Sequence, residues 1–376
     1  MITHLTLEND RDFVEIFDTN ELEAAKSVVT FQALLSLYLQ HQKIRNEESE
    51  WLPYLRTLNE DFSTPYFCKK SELYHLPEYL LEMIVEQNEI IKKSFQDVMK
   101  LVKAELKESY TLDMFKWAFF ICNSRSVYIN GKMLEPLVDE MRFKDALNDP
   151  ANMALAPLLD LINHTETAAC KCQLTHSERF IEQNVEKIKS GEVLLSYQLY
   201  TLDNIKKYDQ IFINYGTYNN TKLLLEYGFI IPGNVTDFLE FTIEDVNSYI
   251  RSHLELRTLE IPKHKYKFIR DHDLDQQMYI DINDGINHSF QAVLGILLVP
   301  KNIYNLTQVA FGDDLKAEDI RHHAIEIVKK KKLDFANLHE GLSKQDDLSG
   351  SGKACLEYFL EATRLIDKVL DVFVKS

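Results

Sequence analysis

Glycine and proline are scarce in this chain, at 11 and 9 of 376 residues. A protein built from many tight β-hairpins would need more of both, so the scarcity favours helices joined by irregular turns. Cysteine is scarce as well. Five is an odd number in a chain of this length; it does not suit a disulfide framework and reads as reduced thiols of a cytosolic or nuclear protein. No apolar run reaches membrane-spanning length; the longest, Ala292 to Val299, contains Gly295 and ends at Pro300. The first residues, Met1-Ile2-Thr3-His4, carry neither a basic leader nor an apolar secretory core. An excess of positive charge is also missing. The net charge is −17, so neutralisation of nucleic-acid phosphates is not expected, and a basic, lysine-containing protein segment is the better partner.

What is present fits a soluble globular protein, with 45% hydrophobic and 27% charged residues. Residues 1–17 read as a strand remnant and a loop. Asn20 offers an N-cap with Glu23 as its capping-box partner, and Val28, Phe31, Leu34, Leu35, Tyr38 and Leu39 follow at helical spacing. Pro77 suits the first turn of a long amphipathic helix over 78–107. A third helix, near 111–123, is rich in Phe and Trp. After Arg125 short β-type runs appear: Val127–Ile129, Val193–Tyr197 and Gln210–Tyr215. From about 241 the periodicity is helical again, with candidates near 243–256, 288–298, 315–332 and 354–374. The polar stretch Ser343 to Gly352 reads as an exposed loop. The order, helices, then a small β-rich unit, then helices, is an α+β layout.

Four ordered segments carry more than pattern: Phe115-Lys116-Trp117-Ala118 leading to Ser124-Arg125; Ala156 to His164, which contains Asp160-Leu161-Ile162-Asn163-His164; Asp209 to Gly216, which ends in Asn214-Tyr215-Gly216; and Leu224-Leu225-Glu226-Tyr227-Gly228-Phe229. Together with Trp51-Leu52-Pro53-Tyr54-Leu55 they resemble SET-domain protein methyltransferases of the Rubisco lysine-methyltransferase type. The resemblance spans essentially the whole chain. It implies a small β-rich SET core split by a helical insertion and followed by an all-helical substrate-binding domain. The implied divisions are a remnant of the N-terminal SET part at 1–19, the insertion at 20–110, the core at 111–240 and the substrate-binding domain at 241–376.

The implied activity is methyl transfer from S-adenosylmethionine (AdoMet) to a lysine side chain of a histone or other protein, with a different nitrogen acceptor left open. A lysine ammonium has a reference pKa of about 10.4 and must lose its proton before it can attack. A nearby cation disfavours its charge; the rest is alignment. By the same resemblance Asn163 and His164 bind the cofactor, Tyr227 is the catalytic tyrosine that orients the acceptor nitrogen, and Tyr215 is a second tyrosine touching the cofactor. Arg125 contacts the cofactor or the substrate strand, and the alternative for it is a helix-terminal charge answering the macrodipole. Asp160 faces the substrate channel or holds local backbone. The whole arrangement expects the polypeptide near His164 and near Tyr227 to meet.

Two features stand apart. The family's first strands carry a Gly-x-Gly turn that lets backbone approach AdoMet. This chain has one Gly-x-Gly, Gly350-Ser351-Gly352, and Met1 to Thr6 resembles the point just after the first strand pair. The chain is therefore read as starting late, with an exposed sheet edge and weakened cofactor binding, and a non-catalytic binding module stays open as the alternative function. His164, Cys170, Cys172 and His176 lie close together, but Cys-x-Cys is not zinc spacing and no metal is expected. The run Lys329 to Lys332 reads as a solvated helix face.

Overall fold

The computed structural model describes residues 1–253, 261–300, 305–312 and 317–375. They form two compact units, each discontinuous in sequence: Met1–Asp61 with Val85–Thr217, and Phe62–Ile84 with Tyr218–Ser376. The divisions expected at 19, 110 and 240 run along the chain, whereas these units are groupings in space.

In the first unit the helix Phe31–Arg45 packs against the helix Leu112–Arg125. Thr30 caps the former, accepting from Ala33 N–H, and Thr111 caps the latter, accepting from Met114 N–H. From Ala33 to Gln42 every residue of Phe31–Arg45 is buried, which is why it lacks a polar stripe. Of the buried polar side chains there, Ser36 donates to Gln32 O and Gln40 Nε2 to Thr111 O, while Gln40 Oε1 and His41 Nε2 have no partner among the described residues. The expected start at Asn20 is corrected. Asp18 caps a separate short helix, Thr19–Ala24, and the chain breaks at Ala25 before Thr30 restarts it.

In residues 1–17 the expected strand remnant is present at Ile2, but the expected loop after it is helical. Ile2 pairs with Leu155, its N–H donating at 2.8 Å and its carbonyl accepting at 3.0 Å, and short helices follow at His4–Asn9 and Arg11–Val14. Leu155 lies between Ile2 and the strand Ser126–Tyr128, since Met153–Leu155 is antiparallel to the latter. The long helix, Glu78–Leu101, ends earlier than the expected 107. Its exit is diverted into pairing, with Asp18 N–H donating to Leu101 O and Lys103 N–H to Ile16 O. The expected strand at 193–197 is displaced as well. Tyr197–Thr201 pairs antiparallel with Cys170–Leu174, and Leu194 is 77% exposed.

The second unit is built around the helices Ala317–Ser343 and Gly350–Lys375, which pack along each other. Ile243–Ser252 and His288–Leu298 join Ala317–Ser343. Of the helices expected at 243–256 and 315–332, residues 254–256 and 315–316 lie outside the described residues. The α+β arrangement holds, with one addition to its helical C-terminal part. Leu239–Phe241, Met278–Asp281 and Gly285–Ile286 form an antiparallel sheet. Its signal was the alternation from Met278 to Asp281, followed by Asn283-Asp284-Gly285. Asp281 Oδ1 accepts from the N–H groups of Asn283 and Asp284 and shapes that turn.

Two expectations fail here for the same reason, that a polar residue finds a buried partner. Gly350-Ser351-Gly352 is the first turn of a helix and not an exposed loop. Ser351 is fully buried and donates to Phe62 O, and a Cβ on Gly352 would stand 2.6 Å from Glu72 Oε1. Glu72 accepts from Ser349 N–H and Ser349 Oγ, both at 2.7 Å, at the N-terminal end of that helix, where negative charge is favoured. Nor is the lysine run all solvated. Lys331 is 5% exposed, pairs with Asp245 at 2.9 Å and is ringed by Tyr79, Phe241 and Phe335 at 5.1–5.4 Å, within cation–π range.

Asn220 and Asp237 tie the loop 228–237 to the helix Asn220–Tyr227. Asp237 accepts from Asn220 N–H at 3.0 Å and from its Nδ2 at 2.9 Å. Burial pushes the Asp237 carboxyl up to about 6. Between its unfolded value and about 6 the folded state holds a proton that the unfolded state has released. Stability is therefore expected to fall as pH rises from 4 through 6, by about 1–3 kcal/mol. Urea unfolding across that range checks this; the slope should flatten in Asp237→Asn.

Candidate active site

A two-residue parallel ladder organises the site in the first unit. Asn163–His164 lies beside Phe212–Ile213, with Asn163 opposite Phe212 and His164 opposite Ile213. Parallel neighbours need a long crossover. Here it is residues 165–211, with the Cys170–Leu174/Tyr197–Thr201 hairpin and two short helices, Glu178–Gln183 and Val185–Lys189. The pairing brings two sequence segments about fifty residues apart into contact.

Side chains lengthen this short ladder. Tyr215 N–H donates to His164 Nδ1 at 3.1 Å, and the two rings lie 5.0 Å apart, tilted by 31°. An acceptor at Nδ1 requires a neutral ring there, and burial lowers the His164 pKa in the same sense. Tyr215 Oη donates to Ile162 O at 2.7 Å, so it grips the strand from the other end. Asn214 Nδ2 donates to Glu166 O, and its Oδ1 accepts from Gly216 N–H. Gly216 has φ 146°, which favours glycine. Asn163 is exposed, and its side chain forms no hydrogen bond with the described residues.

Arg125, at the end of Leu112–Arg125, reaches this segment. Its Nη1 donates to Asp160 O at 2.9 Å and its Nη2 to Asn59 Oδ1 at 3.3 Å. Asp160 Oδ2 accepts from Tyr54 Oη at 2.5 Å, while its buried Oδ1 has no partner among the described residues. Burial raises the Asp160 pKa against the opposing pull of Tyr54 and Arg125, and burial raises Tyr54 too. Tyr215 is raised by burial, with Arg125 and Asp160 acting on it in opposite directions. Thus Arg125, Asp160, Asn163, His164 and Tyr215 share one neighbourhood. Sequence reasoning quoted Tyr54 within Trp-Leu-Pro-Tyr-Leu but assigned it no task; it is the hydroxyl that holds Asp160.

Tyr227 belongs to the second unit, half-buried at the end of Asn220–Tyr227. Gly228 closes the helix at φ 76°, its N–H donating to the carbonyls of Leu223 and Leu224. A Cβ there would stand 2.8 Å from Ser63 C and 2.9 Å from Thr64 N, so glycine is required twice over. The Tyr227 ring lies 6.2 Å from Tyr218 and 6.1 Å from Phe229, within an aromatic group of that unit. Cys170 and Cys172 sit on one strand, Cys170 Sγ accepting from Asn214 N–H, and His176 stacks on Phe180. No three metal-ligating groups converge among the described residues.

The fold is that of SET-domain methyltransferases. It aligns with the SET domain of LSMT, crystallised with methyllysine and AdoHcy, at TM-score 0.55 and 17% identity, covering 100% of this chain and 79% of that one. In sequence the chain is similar to SET domain-containing protein 4 of Artemia parthenogenetica, 26% identical over 341 residues, 87% of this chain and 75% of the relative. It is also similar to ribosomal lysine N-methyltransferase 2 of Saccharomyces cerevisiae, 25% identical over 287 residues, 68% of this chain and 57% of the relative. No family model matches.

Tyr54→Phe removes the one side-chain donor to the Asp160 carboxyl among the described residues and leaves both of its oxygens without one. We expect a loss of about 1–3 kcal/mol in urea unfolding and a further rise of the Asp160 pKa, read by carboxyl-carbon NMR. An unchanged unfolding midpoint would show that this hydrogen bond adds nothing to stability.

Proposed function

We propose that the chain is an AdoMet-dependent protein N-methyltransferase acting on a lysine side chain of a protein substrate. One observation carries the reading: the parallel pairing that sets Asn163-His164 against the segment entering Asn214-Tyr215-Gly216. The SET fold and the relatives' names agree with it.

The residues present fit a cationic cofactor and a cationic acceptor in one respect. Asp160 Oδ1 is a buried acceptor without a partner among the described residues, beside Arg125 and near Tyr215. When bound, AdoMet supplies a methyl group activated on a sulfonium. Asn163, with its exposed side chain, and His164, anchored by Tyr215 N–H, would hold it together with Arg125. Tyr215 would wall the site, its hydroxyl tied to Ile162 O and unable to drift. Asp160 would meet the incoming substrate, and Tyr227 would orient the acceptor nitrogen, a task that suits an apolar ring with a polar tip. A lysine neutralised by nearby positive charge and aligned this way needs no strong side-chain base.

A basic protein segment is the proposed substrate, on the strength of the net charge of −17, and a nucleic acid is not. Reduced cysteines support a cytosolic or nuclear setting. A second reading, a binding module with weak or no catalysis, is favoured by one fact: the chain's single Gly-x-Gly opens a helix of the second unit.

Transfer of radiolabelled methyl groups to lysate proteins distinguishes these readings. Incorporation is expected with the wild-type protein and should fall about 10–100-fold in Tyr227→Phe, while calorimetry shows AdoMet still bound to the variant. Absence of both incorporation and AdoMet binding in the wild-type protein would leave the binding module.

A further inference from the structure

A cavity of about 620 Å³ is lined by none of the candidate site residues and lies wholly within the first unit. Its volume is in the range of small-molecule sites. One wall comes from the helix His4–Asn9, where His4, Leu7 and Glu8 share a face at i, i+3 and i+4. Phe31 and Leu34, three residues apart on Phe31–Arg45, form the next wall with Phe143. Leu7, Phe31, Leu34 and Phe143 are each at most 3% exposed, so the floor is apolar. Glu135, Lys132 and Lys144 stand on the lining with both signs of charge.

His4 is the anomaly in this floor. Its residue is 6% exposed, and neither Nδ1 nor Nε2 has a hydrogen-bond partner among the described residues. The other buried polar group of the helix, Glu8, is fully used: its carboxyl accepts from Arg142 N–H at 2.9 Å and from Phe143 N–H at 3.0 Å. Buried polar atoms are partnered as a rule, and an exception asks for an explanation. Burial lowers the His4 pKa, so the ring is neutral, with one N–H donor and one bare nitrogen acceptor.

We propose that this cavity is a binding site for a small neutral molecule with an apolar ring body and one group that both donates and accepts, such as an amide or hydroxyl, satisfied by His4. The apolar floor receives the ring. The mixed charge of the lining favours no ion. The site is separate from the methyl-transfer site and does not depend on it.

Benzamide and toluene are the probes, one with the donor–acceptor group and one without. Methyl-labelled protein would be titrated with each, following the Leu7 and Leu34 resonances and the His4 ring nitrogens. Benzamide is expected to shift all of them with a Kd on the order of 1 mM, within reach of so small a ligand. Toluene should bind at least about fivefold more weakly, for want of the hydrogen bonds. In His4→Phe the preference for benzamide should vanish while toluene still binds. Equal affinity for both probes in the wild-type protein, or no shift of Leu7 and Leu34 up to about 10 mM benzamide, overturns the proposal. The two-probe comparison needs no variant to fold.

Discussion

A ladder of two residue pairs holds the candidate site together. Asn163–His164 beside Phe212–Ile213 is too short to be stable by backbone pairing alone. Its geometry persists because side chains at both ends are fastened to backbone. Tyr215 ties to Ile162 O through its hydroxyl and to His164 Nδ1 through its amide, and Asn214 bridges to Glu166 O. These bonds cost two aromatic or polar side chains their freedom, and they make the orientation of the Asn-His pair a consequence of packing rather than of sheet extent.

The same economy of partners runs through the rest of the molecule. Charges that leave water do so against partners already in place: Glu8 on the amides of Arg142 and Phe143, Glu72 on Ser349 and Lys69 N–H, Lys331 on the Asp245 carboxylate within three rings. Asp160 Oδ1 and both ring nitrogens of His4 are among the few buried side-chain atoms that have no hydrogen-bond partner among the described residues. The first lies beside the ladder that positions the candidate site; the second lies in a separate apolar cavity. A buried polar group without a partner asks for an explanation, and for these two a ligand supplies one.

Much of the fold was legible along the chain. His288–Leu298 matched its expected limits because Asn287 caps it, accepting from Phe290 N–H, and Pro300 follows its end. Leu112–Arg125 was visible through its aromatic run. The misses share a cause. Glu78–Leu101 stops short because distant backbone at Ile16 and Asp18 competes for its exit, and the polar Ser343 to Gly352 stretch is half claimed by Glu72 and Phe62. Local periodicity has no access to such partners. The small sheet near Met278 carries a local signal in its alternation and turn.

Composition, periodicity and motif order determined the α+β class, the SET resemblance and the residue types of the site, since these depend on chemistry carried by neighbours in sequence. Tertiary structure alone decided that Tyr54 supports Asp160 across about a hundred residues, that Tyr215 clamps His164, and that Lys331 among four lysines is the one that leaves water. Each of these depends on which two distant surfaces meet, and a linear pattern of hydrophobicity and charge says which faces are buried without saying against what.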